Sequence, residues 1–449
     1  MLTRSIGAEP SSGGTSVSSP PSLSKPPSAR RSSFAYGALL VFCFLYFYRP
    51  EDFIPGVGFI PMAKISGILA FLGLIAGVAA QGKIVMPKAI KFLFVLLVQM
   101  VLTIPFAIWR GGAADTVFNK FSKTVVTAIL VSMVVASLRE LRQLLWIQTS
   151  AVAVVSFFSV LVNHQQEGRL EGIQKGILEN PNDLALNIAI VFPLCIAFML
   201  HARGLKKAMW IIGMMFMLLA VVLTYSRGGL LALIICLGFS LWEYGLKGKR
   251  YYMIGVAALV ALVGLSVFIV SSRYRARIES IVMGNIAGSH DKGSMEARKA
   301  VLIKSIVLSF EHPLFGVGPG NFPVIDKGWV VAHNTYTELS AEGGILALVL
   351  FILALRSAFK NVAEARKSEK YETDPDYRLF TQALFAGLAA YVVGGCFAST
   401  EYNLYPYIMI GYTCVLVRLG QPIATVGKGK LFSKLAYAGA RKPRPVWSR

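Results

Sequence analysis

Apolar runs of about 17–22 residues, each near the length a helix needs to cross a hydrocarbon core of roughly 30 Å, recur along this 449-residue chain. In lipid a backbone is satisfied only within helices or closed barrels, and unbroken runs of this length specify helices. Twelve candidate spans follow, near 34–48, 59–80, 92–108, 121–137, 144–162, 184–200, 208–225, 228–244, 251–271, 334–355, 379–397 and 403–420. The composition agrees, with 55% hydrophobic residues and only 15% charged. The expected fold is an all-α polytopic membrane protein of about twelve transmembrane helices. One embedded domain, 34–420, lies between a Ser-, Pro- and Gly-rich disordered tail at 1–33 and a basic tail at 421–449. The first tail is too polar for a signal peptide.

The formal charge of +22 would suit nucleic acid if it were gathered on one soluble face. It is instead divided by the spans. With the N-terminus inside, about two-thirds of the 45 Lys and Arg fall in the inner segments, and most of the 23 acids fall outside. The charge therefore reads as a topology signal, with both termini on the cytoplasmic side and no nucleic-acid partner. The long polar loops then lie outside, above all 272–333, and chemistry is expected on that face. The five cysteines sit in apolar runs without CxxC spacing and read as small hydrophobes, so neither a disulfide framework nor a zinc site is expected.

Four outer motifs carry the polar chemistry. TYSRGG places Arg227 at a tight corner between two spans, either as a snorkelling cation at a turn made by Gly228 and Gly229 or as an anion clamp. In loop 272–333, GSMEARKAVLIKSIVLSF predicts an amphipathic helix. Arg298, Ser305 and Ser309 form its polar strip, and Val301, Leu302, Ile303, Ile306, Val307 and Phe310 its apolar side. Such a helix lies at the membrane interface and can aim Arg298 into a cavity. The basic patch Arg273, Arg275 and Arg277 precedes it and suits lipid phosphates. LFGVGPGNF follows, a tight loop in which Gly316, Gly318 and Gly320 could form a backbone nest for an anion.

AHNTYTELSAEGG then sets His333 and Asn334 at the mouth of a span, with Glu338 and Glu342 one turn apart. Histidine is the default general base near neutral pH, and a carboxylate can orient it. A histidine merely capping a helix is the plainer alternative. In the earlier loop, ENPNDLA reads as a turn into a helix with Asn182 or Asp183 as N-cap, and Arg169 is a further anion ligand candidate. No HExxH occurs, and no metal is expected.

Taken in order, NPNDLA, TYSRGG, HPLFGVGPGNF, AHNTYTELSAEGG and STEYNLYP resemble the O-antigen ligase and O-antigen polymerase family of bacterial envelopes, over about residues 165–412. The resemblance implies a GT-C-like membrane glycosyltransferase of the inner membrane with its site on the periplasmic face. It would need no cofactor or metal and would invert the anomeric centre. The donor would be an undecaprenyl-diphosphate-linked glycan, its diphosphate gripped by Arg227 and Arg298, with His333 activating the acceptor hydroxyl. Ligation to lipid A core, polymerisation onto another glycan and transfer to protein remain open as acceptors. Dedicated ligases of this kind carry Gly-Thr-Thr soon after the histidine motif, whereas Ile345-Leu346-Ala347 follows Gly344 here. A lipid-linked glycan transporter is the rival from another class. It would bury ionisable groups in several spans near the midplane.

Overall fold

The computed structural model describes residues 28–52, 61–81, 86–166, 168–173, 178–248, 250, 289–325 and 330–421. The predicted span near 251–271, the arginines Arg273, Arg275 and Arg277, the chain before residue 28 and the tail from 422 lie outside the described residues. Every other predicted span coincides with a helix. Among the described residues, eight helices are long and apolar enough to cross a membrane, and Leu404–Gly420 is a shorter apolar one. The protein is a polytopic all-α membrane protein.

Several boundaries move, two of them at helix starts. Helix α1 (Ser28–Tyr48) begins inside the segment read as tail. The span predicted from residue 121 starts at Arg110, as α4 (Arg110–Asp115) continues through a π turn at Thr116–Phe121 into α5 (Ser122–Val134). Two glycines disguise that start. A Cβ at Gly112 would fall 2.3 Å from the Trp109 ring, so the missing side chain is what lets the tryptophan fold over the new turn.

Four further helices set the frame: α2 (Met62–Gln81), α3 (Lys88–Thr103), α6 (Leu138–Val162) and α7 (Pro181–His201). Between α6 and α7 lies a two-stranded antiparallel ribbon, β1 (Gln165–Gln166) with β2 (Arg169–Leu170). After α7 come α8 (Gly204–Leu223) and α9 (Arg227–Ser240), the latter extended by a π turn to Leu246. Beyond the undescribed stretch, α10 (Ser289–Glu311) and the short α11 (Phe322–Ile325) lead to α12 (Thr335–Ala365). The chain closes with α13 (Glu369–Thr373), α14 (Pro375–Gly394) and α15 (Leu404–Gly420).

Helix α7 is central, packed against α6, α8, α9 and α14, and 83% of its apolar window is buried. For α2 and α8 the figures are 11% and 17%. Their outward side chains, such as Leu72, Leu205, Met209 and Met215, form apolar surface of the kind only lipid tolerates.

Helix α12 is broken at Gly344 (φ 81°, ψ 168°). Carbonyl oxygens of the preceding turn are thereby released to outside donors, Val317 N–H reaching Ala341 O at 2.8 Å and Gly318 N–H reaching Glu342 O at 3.0 Å. The N–H of Ile345, past the break, donates to Pro313 O at 2.8 Å. The glycine loop after α10 thus docks into the kink, and the short first segment, Thr335 to Gly343, carries the polar residues.

Candidate active site

The N-termini of α7, α9 and α12 and the C-termini of α6 and α8 converge at one end of the bundle, and three separated motifs meet there through Asn182. Asn180, not Asn182 or Asp183, caps α7. Its Oδ1 accepts the Asn182 N–H at 2.8 Å, because Pro181 suits the first helical position and moves the cap one residue back. The Asn182 side chain is left for tertiary work. Its Oδ1 accepts from Ser226 Oγ at 2.9 Å and from Arg169 Nη2 at 3.0 Å. Arg169 is fixed a second time by its Nε donating to Thr224 O at 2.9 Å.

The corner before α9 is turned by Tyr225, in the left-handed region at φ 50°, and Ser226 caps the helix by accepting Gly229 N–H at 3.2 Å. The two glycines expected to make the turn serve packing instead. A Cβ at Gly229 would stand 2.2 Å from Ala185 Cβ, and one at Gly228 would stand 2.3 Å from Phe397 Cβ. Arg227, the first residue of α9, is exposed beside the 395–403 loop.

That loop also holds the histidine. His333 has φ 55°, a conformation non-glycine residues keep only where contacts over-determine it. Its N–H donates to Ser399 Oγ at 3.0 Å, Ser399 in turn bonds to Glu338 Oε2, and the same carboxylate accepts Ala332 N–H at 3.0 Å. Asn334 caps α12 by accepting from Tyr336 N–H at 3.0 Å and Thr337 N–H at 3.1 Å, while its Nδ2 donates to Cys396 O at 3.2 Å. Cys396 is exposed in this loop, unlike the other four cysteines, which are buried. It is no core filler, because α14 ends at Gly394, before the predicted span does.

Both glutamates act on backbone and hydroxyls rather than on the imidazole. Glu342 accepts Gly320 N–H at 2.7 Å, Phe322 N–H at 2.9 Å and the Tyr402 hydroxyl. The expected nest of Gly316, Gly318 and Gly320 is not formed: only Gly320 N–H reaches the Glu342 carboxylate, while Gly316 N–H donates to His312 O and Gly318 N–H to the Glu342 backbone carbonyl. All three glycines have positive φ, and a Cβ on Gly316 would lie 2.3 Å from the Glu342 carbonyl carbon. Glu401 lies beside the same two carboxylates. Burial, then Glu338 and Glu342, push its carboxyl well above the usual range.

Helix α10 is turned opposite to a surface helix. The serines of its polar strip face protein, with Ser305 fully buried and its Oγ 2.8 Å from Thr337 Oγ1, and Ser309 also buried, while Arg298 at the start of the strip is exposed. Ile303, Ile306, Val307 and Phe310 face outward. The outside of this helix behaves as a lipid-facing surface, so the few hydroxyls go inward, where partners exist. Arg298, about two turns before this contact, reaches the histidine electrostatically. Burial, then Arg298 and then Arg169, lower the His333 pKa to about 4. The structure thus assembles Arg169, Arg298 and His333, sets Arg227 at the adjoining corner, and leaves Glu338, Glu342 and the glycine loop as supports. Ser399, Tyr402, Glu401, Asn182 and Ser226 carry connections that the sequence reading did not assign.

These features define a polytopic membrane protein with a half-buried histidine among three arginines, Arg169 held by hydrogen bonds, at one end of the bundle. Residues 212–352 match the family model described as O-antigen ligase, and motif series and match agree on the O-antigen ligase and polymerase family. The matched stretch holds Arg227, Arg298, His333, Glu338 and Glu342, whereas Arg169, Asn182 and Ser399 lie outside it. That family implies a membrane glycosyltransferase-type enzyme working between a lipid-linked glycan donor and a glycan acceptor. No curated protein matches the chain.

Proposed function

We propose that this protein transfers an oligo- or polysaccharide from an undecaprenyl-diphosphate carrier to an acceptor hydroxyl on the periplasmic face. The carrying observation is that burial, joined by Arg298 and Arg169, keeps His333 an unprotonated base beside permanent cations. Guanidiniums bind diphosphate oxygens in planar pairs and stabilise the negative charge that grows as the glycosidic bond to phosphate breaks. Arg298 and Arg169 take the diphosphate in this reading, with Arg227 at the entrance. The acceptor oxygen attacks the anomeric carbon from the face opposite the leaving diphosphate and inverts it. The acceptor proton passes to the His333 ring, a step contributing about 10²–10⁴-fold. The activated bond arrives with the lipid, so neither nucleotide nor metal is required.

In this reading the charge pattern puts the termini in the cytoplasm and the site outside, in a bundle of about twelve spans. The description of the matching family model favours ligase-type transfer, while Ile345-Leu346-Ala347 in place of Gly-Thr-Thr favours polymerase-type transfer by the same site. The test is transfer from a polyprenyl-diphosphate glycan by purified protein, with His333→Ala and Arg298→Ala. Each variant is expected to lose at least about 100-fold in kcat/KM. Near wild-type rates in both, or glycan movement across liposomes without covalent transfer, would overturn the assignment.

A further inference from the structure

At the end of the bundle away from His333, a cavity of about 510 Å³ opens between α1 and α6, lined by Leu40, Phe44, Arg139, Arg142, Gln143, Trp146 and Ile147. Helix α6 runs from this cavity toward the ribbon that carries Arg169, a rise of about 37 Å for its 25 residues. The two sites therefore lie about a membrane's width apart.

The lining is divided by chemistry. Leu40, Phe44, Trp146 and Ile147 make an apolar wall, and Phe44 and Trp146 remain 44% and 47% exposed, so the wall opens sideways rather than into a sealed core. Arg139 and Arg142 stand on the first turns of α6, at the polar end. Arg142 is pre-ordered by Asp376, its Nη1 lying 3.0 Å from Oδ2, while His201 Nδ1 meets the other oxygen at 2.6 Å. The nearby Glu140 carboxylate is occupied by the α6 capping box, accepting from Ala136 and Ser137 N–H, and so turns away from the cavity. Gln143 accepts the Tyr36 hydroxyl at 2.7 Å through Oε1, which leaves its amide N–H groups as donors.

Two guanidiniums and an amide donor at one end, with aromatic and aliphatic walls running sideways, match a molecule with an anionic head and apolar tails. A free phosphate would use only the first half of this lining. We propose that the α1–α6 cavity is a binding site for an anionic phospholipid, its head-group phosphate between Arg139 and Arg142 and its acyl chains along Phe44 and Trp146. The site is separate from the transfer site and sits in the opposite leaflet.

Full-length protein would be placed in nanodiscs of equal phosphatidylglycerol and phosphatidylcholine and its retained lipids read by native mass spectrometry. The expected result is preferential retention of phosphatidylglycerol. Retention should fall about fivefold in Arg139→Gln, the size expected for one basic residue at an anionic head group, and also in the cavity-filling Leu40→Trp. Arg139 is exposed, so its substitution spares the fold. Soluble glycerol phosphate should not displace the lipid. Equal retention of both lipids by the wild type, unchanged retention in both variants, or displacement by glycerol phosphate would each overturn the proposal.

Discussion

At His333 burial comes first, and the two arginines add to it, so the ring stays unprotonated above a pH of about 4. The acid limb of kcat/KM is therefore expected near that value in the free enzyme, well below the ordinary imidazole range. Arg298→Gln removes one repelling cation, raises the histidine pKa toward 6.5, and should move the acid limb upward. A pH–rate profile of the variant checks this, and a limb that stays or moves down refutes the coupling. Asn182 is the second residue of consequence, because one oxygen serves both Arg169 and Ser226. Asn182→Ala removes one of the acceptors that fix Arg169, while its bond to Thr224 O stays, and should cost about 1–3 kcal/mol of donor binding, read as a raised KM for donor with kcat less affected. Ser399 positions the histidine backbone by accepting its N–H directly, and Glu338 anchors Ser399. Ser399→Ala should lower kcat and Ser399→Thr should restore most of it, whereas a bystander would show no such rescue.

The element that matters most is α12, which works because it is interrupted. Its kink at Gly344 exchanges intrahelical bonds for bonds to the glycine loop, and a Cβ there would meet Leu314 O at 2.5 Å and Pro313 O at 2.8 Å. Gly344→Ala combines that clash with a left-handed φ and should destabilise by more than about 1 kcal/mol, seen as a lower melting temperature in detergent. Glu342→Gln keeps the shape but weakens the acceptor of two backbone N–H groups and the Tyr402 hydroxyl. About 1–3 kcal/mol is again the expected cost. The loss should appear as increased protease sensitivity of the 316–325 loop before any change in helix content.

At the scale of the whole molecule, the shared end of α7, α9 and α12 is proposed to face the periplasm, and Cys396 is a built-in reporter of that orientation. It is exposed beside the site while Cys43, Cys195, Cys236 and Cys414 are buried. A membrane-impermeant maleimide applied to spheroplasts should label the wild type and not Cys396→Ser. Labelling only after permeabilisation would invert the topology.

The helices and their polarity were legible in the sequence because hydropathy and helix punctuation are local. A 17–22-residue apolar run needs a membrane whatever its neighbours do, and the Arg298, Ser305 and Ser309 strip is set by a repeat of 3.6 residues. Which way that strip turned was not local. Its direction depended on Thr337 lying alongside, and its apolar back then faced outward. The motif residues Arg227, Arg298 and His333 could be found singly, yet their support by Asn182, Ser399 and Glu342 could not. Hydrogen bonds spanning 44 and 66 positions exist only after α7, α9, α12 and the loop after α14 have packed. Sequence by itself therefore determined a helical membrane protein with cations and a histidine in its polar loops. Tertiary packing alone decided that Glu342 ties down the end of the glycine loop and that two arginines act on one imidazole, because Coulomb and hydrogen-bond energies depend on distances no linear pattern contains.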